Sequence, residues 1–150
     1  MQIDIDNQTD FTPNNMLIEQ LESLFAYVLE SLNLRQKQCE LLLVNNDKIA
    51  ELNAEFRSIN APTDVLSFPL ESDFSPFLGS VVISLDYAKE IAQKLNHSVE
   101  NEIALLFIHG ILHLVGFDHE VDCGEQRAME SQIVEHFKLP KSLIIRQEEC

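Results

Sequence analysis

Basic residues are scarce in this sequence. Ten Lys and Arg stand against twenty-five Asp and Glu, a formal net charge of −15. Such a chain stays soluble and repels a polyanion at long range. Non-specific affinity for nucleic acid comes from Lys and Arg neutralising phosphates, so composition taken alone argues against that partner. Long hydrophobic runs are also missing. The longest apolar stretch of note, residues 103–108, falls far short of the roughly 20 residues that span a bilayer, so no membrane association is expected. The opening MQIDIDNQTD is acidic and alternating, without the basic and apolar regions of a secretory signal, and the cytoplasm is the expected location. Cysteine is limited to Cys39, Cys123 and Cys150, an odd number with no Cys-x-x-Cys pair, which speaks against a disulfide framework and for a reducing compartment. Cys39 opens an apolar run and reads as a small buried hydrophobe. Repeats, low-complexity tracts and Pro/Gly/Ser linkers are absent, so residues 1–150 read as one domain of ordinary size.

What is present is the makeup of a globular protein, 45% apolar and 23% charged. Residues 2–6 alternate Ile3 and Ile5 with polar neighbours, a short strand. Leu17, Leu21, Leu24 and Val28 recur at helical steps over residues 14–32. Residues 40–44 (ELLLV) are continuously apolar, as in a strand buried on both faces. Asp47 is placed to cap a helix carrying Ile49, Leu52 and Phe56 on one face, which ends before Pro62. Strands follow at 65–68 and 81–85, separated by a loop over 71–78 that contains Pro76. Asp86 is placed to cap a helix through Leu95. Ser98 caps another that runs to Val115 and stops at Gly116. A last helix covers about 123–137, and the tail from Pro140 is weakly specified. Four short strands with five or six helices make an α+β protein, a mixed sheet under helical cover with some parallel pairing.

The segment HGILHLVGFDH holds three of the five histidines within eleven residues. His109 and His113 lie four apart on the expected helix and project from one face. Gly116 breaks the helix, and His119 follows within reach of the same point. Three neutral imidazoles leave one tetrahedral position open for water, the mark of a catalytic rather than a structural zinc site. An i, i+4 histidine pair by itself is common in helix cores. The third histidine and the glycine break make the difference, because three unliganded imidazoles among Ile111, Leu112, Leu114, Val115 and Phe117 would be costly. His97 and His136 stand apart and read as surface or cap residues. The spacing is that of metzincin proteases, H-E-x-x-H-x-x-G-x-x-H, but Gly110 occupies the place of their general-base glutamate. The metal ligands are kept and the peptidase base is gone.

The histidine segment, together with LNAEFRSINAPTDVLSFP at residues 52–69 and the GSVVIS segment, resembles the YbeY family of bacterial rRNA maturation factors, single-strand-specific metallo-endoribonucleases. The likeness covers residues 52–129, about half the chain. It implies a zincin-like α+β fold, one Zn2+ per chain on His109, His113 and His119, and an arginine, Arg57, needed for RNA cleavage. It further implies action on single-stranded RNA rather than DNA, in 16S rRNA 3′-end processing and ribosome quality control, with the ribosome or its proteins as partners. Two positions depart from the family pattern: Asn60 and Ser80 stand where acids are usual.

Arg57 suits that role chemically, since a guanidinium presents a planar fork to phosphate and keeps its charge. Thr63 and Asp64 read as shaping the turn into the next strand, and Ser67 as structural. Asp118 adjoins the third histidine and could serve as base, as an acceptor orienting a ligand, or as a turn former. Met129 could underlie the metal or simply fill the helix core. Two other functions fit the residues: a zinc hydrolase acting on a peptide or amide with Asp118 as base, and a zinc-stabilised ribosome-binding module without catalysis.

Overall fold

The computed structural model describes residues 2–34, 36–70 and 75–148. Cys150 and positions 71–74 of the expected loop lie outside that set. The elements in chain order are β1 (Ile3–Asn7), α1 (Asn15–Ser31), β2 (Gln38–Val44), α2 (Asn46–Arg57), β3 (Val65–Pro69), β4 (Phe77–Ser84), α3 (Leu85–Leu95), α4 (Val99–Leu114), α5 (Glu125–Phe137) and α6 (Leu143–Glu148). The sheet order is β1-β2-β4-β3. β1 and β4 run parallel to β2, while β3 is antiparallel to β4 and forms an edge. The α+β expectation and the count of four strands both hold.

The continuous apolar character of β2 and β4 follows from helices on both sheet faces. Strand side chains alternate between faces. Leu41, Leu43, Val81 and Ile83 join the main core with α1, α3, α4 and α5, whereas Leu42, Val44, Val82, Leu66 and Phe68 meet Ile49 and Leu52 of α2 on the other side. α4 packs on β3 and β4 and against α1, α3 and α5. Every residue from Glu102 to Leu112 is buried, so this helix is apolar nearly all round.

Several boundaries move from the sequence reading, each for a local reason. The N-cap of α2 is Asn45 rather than Asp47, and that of α3 is Ser84 rather than Asp86. Both capping residues end strands with extended backbone, so their oxygens reach the N–H groups of Lys48 and Tyr87 at 3.0 and 3.2 Å. Asp47 and Asp86 lie two residues further in, within the first turn, where a carboxylate complements the helix dipole. The helix expected from about residue 123 is α5 and starts at Glu125, after Asp122 has accepted the Gly124 and Gln126 N–H groups at 2.8 and 3.0 Å. Those backbone bonds also hold the Asp122 carboxyl below its usual pKa. The weakly specified tail contains α6, whose Leu143 and Ile144 are buried.

His97 requires a further correction. Its N–H closes α3 on the Ala92 carbonyl at 3.1 Å, as a cap would. Its side chain, however, turns inward, with Nε2 2.8 Å from the fully buried Glu102 carboxylate. His136 does lie at the surface, stacked on Tyr27 with ring centroids 4.4 Å apart.

Candidate metal centre and active site

His109 and His113 sit on the last two turns of α4, and the helix then ends in a Schellman motif. Phe117 N–H reaches Leu112 O at 2.9 Å and Gly116 N–H reaches His113 O at 3.1 Å, with Gly116 at φ +106°. This left-handed step turns the chain back and brings His119 to the helix face that carries the other two histidines. Ring centroids are 5.0 Å apart for His109 with either partner and 5.5 Å for His113 with His119. Among the described residues, only these three form such a cluster, their candidate donor atoms all within 4.8 Å of one another.

The donor set fits a metal on two further counts. His119 Nδ1 is buried with no hydrogen-bond partner, a cost that demands a reason. His109 Nδ1 lies 2.7 Å from Glu130 Oε2, an arrangement that fixes the ring and leaves Nε2 free to donate. His113 is held in its neutral form: burial lowers its pKa most, repulsion from His109, His119 and Arg57 adds to the effect, and Asp118 opposes it. A neutral imidazole is the form that ligates.

Arg57 is the last residue of α2, and its guanidinium is close enough to act on His113. The loop beyond it is pinned by Asn53, which is almost fully buried. Asn53 Nδ2 donates to Ala61 O at 2.9 Å, and Asn53 O accepts the Ser58 and Ile59 N–H groups as the chain passes through a left-handed Ser58. The three histidines thus come together from α4 and its following turn, and Arg57 at the end of α2 acts on His113 through its charge.

The other candidates separate clearly. Asp118 is exposed and uses Oδ1 to accept the Glu120 N–H at 3.1 Å, so it builds the turn around His119 while remaining in electrostatic reach of His113. Asp64 accepts the Val65 N–H and the Thr63 hydroxyl at the start of β3. Ser67 donates to the Gly110 carbonyl at 3.1 Å, tying the edge strand to α4. Met129 packs against the main core. Ser80 donates to Glu40 Oε1 at 2.9 Å on the sheet face opposite α4, so a hydroxyl there relieves what two acids would oppose. Cys39 is buried in β2, where desolvation and then Glu22 push its thiol up to about 12.

Two residues of the site were not legible from spacing to the histidines. Gln126 and Glu130 are buried polar side chains on α5, four apart on the face that also carries Ile133. That interruption of an inward-facing helical stripe by two polar groups was the available signal. A concavity of about 370 Å³ opens beside the third histidine, lined by Gly116, Phe117, Asp118, Asp122 and Cys123 among others.

Fold and site define a zincin-like α+β protein with a histidine triad, two members on a helix and one on the turn after it, suited to one metal ion. The family model described as Endoribonuclease YbeY matches residues 2–139. An Endoribonuclease YbeY from Campylobacter jejuni (strain RM1221) is 56% identical over 127 residues, covering 84% of this chain and 90% of its own. Another from Helicobacter pylori (strain J99) is 49% identical over 148 residues, covering 99% of each. The solution structure of TM1509 from Thermotoga maritima shares the fold, with a TM-score of 0.60, 28% identity and 91% of each chain covered. The chain belongs to the Endoribonuclease YbeY family.

Proposed function

We propose that this protein is a zinc-dependent, single-strand-specific endoribonuclease acting in 16S rRNA 3′-end maturation and ribosome quality control in the cytoplasm. The reading is carried by the histidine triad, whose candidate donor atoms lie within 4.8 Å of one another, with Arg57 a permanent cation in electrostatic reach of His113. Bound zinc supplies a Lewis acid to phosphate oxygens and lowers the pKa of water. Arg57 stabilises the charge that builds on the phosphoryl oxygens. Gly110 excludes the peptidase glutamate, but each phosphate in RNA already has a 2′-hydroxyl next to it. A phosphodiester substrate therefore depends less on a protein base than a peptide does.

The charge of −15 sets a further condition. Free RNA binds weakly and with strong salt dependence, so docking on the ribosome or a ribosomal protein delivers the strand. No helix among the described residues is long and apolar enough to cross a membrane.

The test is digestion of a single-stranded RNA by zinc-loaded wild type, Arg57→Ala and His113→Ala. Arg57→Ala keeps its zinc and loses cleavage by about 10²–10³-fold, the usual effect of removing one group that stabilises transition-state charge. His113→Ala loses both metal and cleavage. Equal cleavage by all three proteins would mean a contaminating nuclease and sink the proposal. Turnover of a peptide or amide instead of RNA would favour the hydrolase reading, and unfolding on zinc removal with no RNA cleavage at all would favour a structural module.

A further inference from the structure

The metal-ligand set is backed by a buried polar cluster on α5 that spacing to the histidines did not disclose. Glu130 is 1% exposed and uses its two oxygens separately. Oε2 meets His109 Nδ1 at 2.7 Å, and Oε1 accepts the Ile144 N–H at 3.3 Å. Gln126 is completely buried and links three parts of the site. Its Nε2 donates to Glu130 Oε2 at 3.2 Å and to the His109 carbonyl at 3.3 Å, while its Oε1 accepts the His119 N–H at 3.0 Å. One amide therefore spans two of the three metal ligands and the carboxylate behind the first.

We propose that Glu130 and Gln126 are positioning residues for the metal site, with Glu130 holding the His109 ring in the tautomer that offers Nε2 and Gln126 fixing His119 relative to it. The inference rests on the reading of the triad as a metal site. The physical case is one of enforced geometry. A neutral imidazole carries one proton, and a carboxylate against Nδ1 draws it to that nitrogen, so the opposite nitrogen presents its lone pair. The same carboxylate makes the ring a stronger donor. His119 follows a glycine break and lies outside regular structure, so its approach depends on backbone anchoring, and its N–H anchor is the Gln126 amide. The Ile144 bond adds that the first turn of α6 closes over the carboxylate and keeps water from it.

A purely structural role for this cluster makes a different prediction. Removing buried hydrogen bonds lowers apo stability in either case. Only a positioning role also weakens the metal affinity of molecules that remain folded. Zinc affinity is therefore measured by competition with a chromophoric chelator on wild type, Glu130→Gln and Gln126→Leu, at a temperature where circular dichroism shows each fully folded. The expected result is a fall of about 10–100-fold in affinity for each variant, the range found when partners behind metal-ligating histidines are removed. A smaller zinc-induced rise in Tm accompanies it. In apo wild type, proton NMR shows a His109 Nδ1–H resonance moved downfield by the carboxylate, and that resonance shifts back in Glu130→Gln. Should Glu130→Gln not fold, Gln126→Leu and the wild-type His109 resonance decide the question. Variants that bind zinc as wild type does, however much less stable they are, overturn the positioning role. Wild type that binds no zinc overturns the metal reading itself and the inference with it.

Discussion

Gly110 lies against Val81 so closely that a Cβ on it would stand 2.6 Å from Val81 Cγ1 and 3.0 Å from Cγ2. α4 is pressed onto β4 here, and the Ser67 hydroxyl, bonded to the Gly110 carbonyl, closes the third side at 3.3 Å. Val81 is fully buried, so its methyls have nowhere to retreat. The place where peptidases of the same histidine spacing carry a glutamate is therefore closed by packing against the sheet. The absent base and the close helix–sheet contact are one fact seen from two sides.

Gly110→Ala is expected to destabilise the protein by about 1–3 kcal/mol, as overpacking of a well-filled core does, despite the better helix propensity of alanine. Val81→Ala removes the obstructing methyls at the expense of a cavity, so the double variant is less destabilised than the sum of the two singles. Urea unfolding of the four proteins measures the coupling. Strict additivity would show that the contact is not as close as the structure has it. Gly110→Glu gains no peptidase activity and loses more stability than Gly110→Ala.

Asn53 is expected to act on catalysis through Arg57 without touching substrate. Its side-chain amide holds Ala61 and its carbonyl receives two N–H groups of the loop that follows α2. Asn53→Leu frees that loop and leaves the buried site without its polar bonds, at a cost of about 1–3 kcal/mol. RNA cleavage falls while zinc affinity stays at the wild-type value, because no metal ligand is involved. A variant with full cleavage and only reduced stability would confine Asn53 to a structural part.

Much of this could be read in advance from periodicity. The apolar stripe of α1 and the alternation in β1 have single solutions, and the triad announces itself because a helix pair, a glycine and a third histidine seldom fall together by chance. Helix starts were less legible. At Asn45–Asp47 and Ser84–Asp86, two good capping residues compete within a few positions, and only the strand geometry before them decides. His97 misled because nothing local shows that Glu102, five residues on in the next helix, is buried at 0% exposure. Glu130 and Gln126 stayed hidden for a similar reason. Their partner His109 is 21 residues from Glu130 in sequence and 17 from Gln126, and long-range pairing of this kind follows from the packing of α5 on α4 rather than from any spacing.

Apo stability should fall as pH drops through the histidine range, and His113 should account for part of the fall. Its folded pKa lies below the ordinary histidine value of 6.5, with burial the largest cause and repulsion from His109 next. In the window between that lowered value and 6.5, the unfolded chain binds the proton and the folded chain does not. Stability therefore rises with pH across the window: the contribution is fully present above 6.5 and is lost as pH falls through the folded value. Chelator-treated protein unfolded in urea at pH 7.5 and at pH 5.5 reads this directly. His113→Asn is expected to lose less stability between the two pH values than wild type, and an equal loss would remove His113 from the account. Zinc loading steepens the same dependence, because protons compete with the metal for the imidazoles.

The cysteines offer a test of the fold that is independent of the metal. Cys39 is 1% exposed between the sheet and its helices, and burial pushes its thiol up to about 12, so it has neither access nor thiolate. Cys123 is exposed on the turn before α5. Treated with iodoacetamide at pH 8 in the native state, Cys123 is alkylated while Cys39 is protected, and the two are told apart by peptide mass. Addition of urea past the unfolding midpoint exposes Cys39, so its labelling follows the same transition as circular dichroism. Labelling of Cys39 at the rate of Cys123 in native protein would contradict β2 as an inner strand, since the pairing of Cys39 with Ile3 of β1 belongs to the register that turns this side chain into the core.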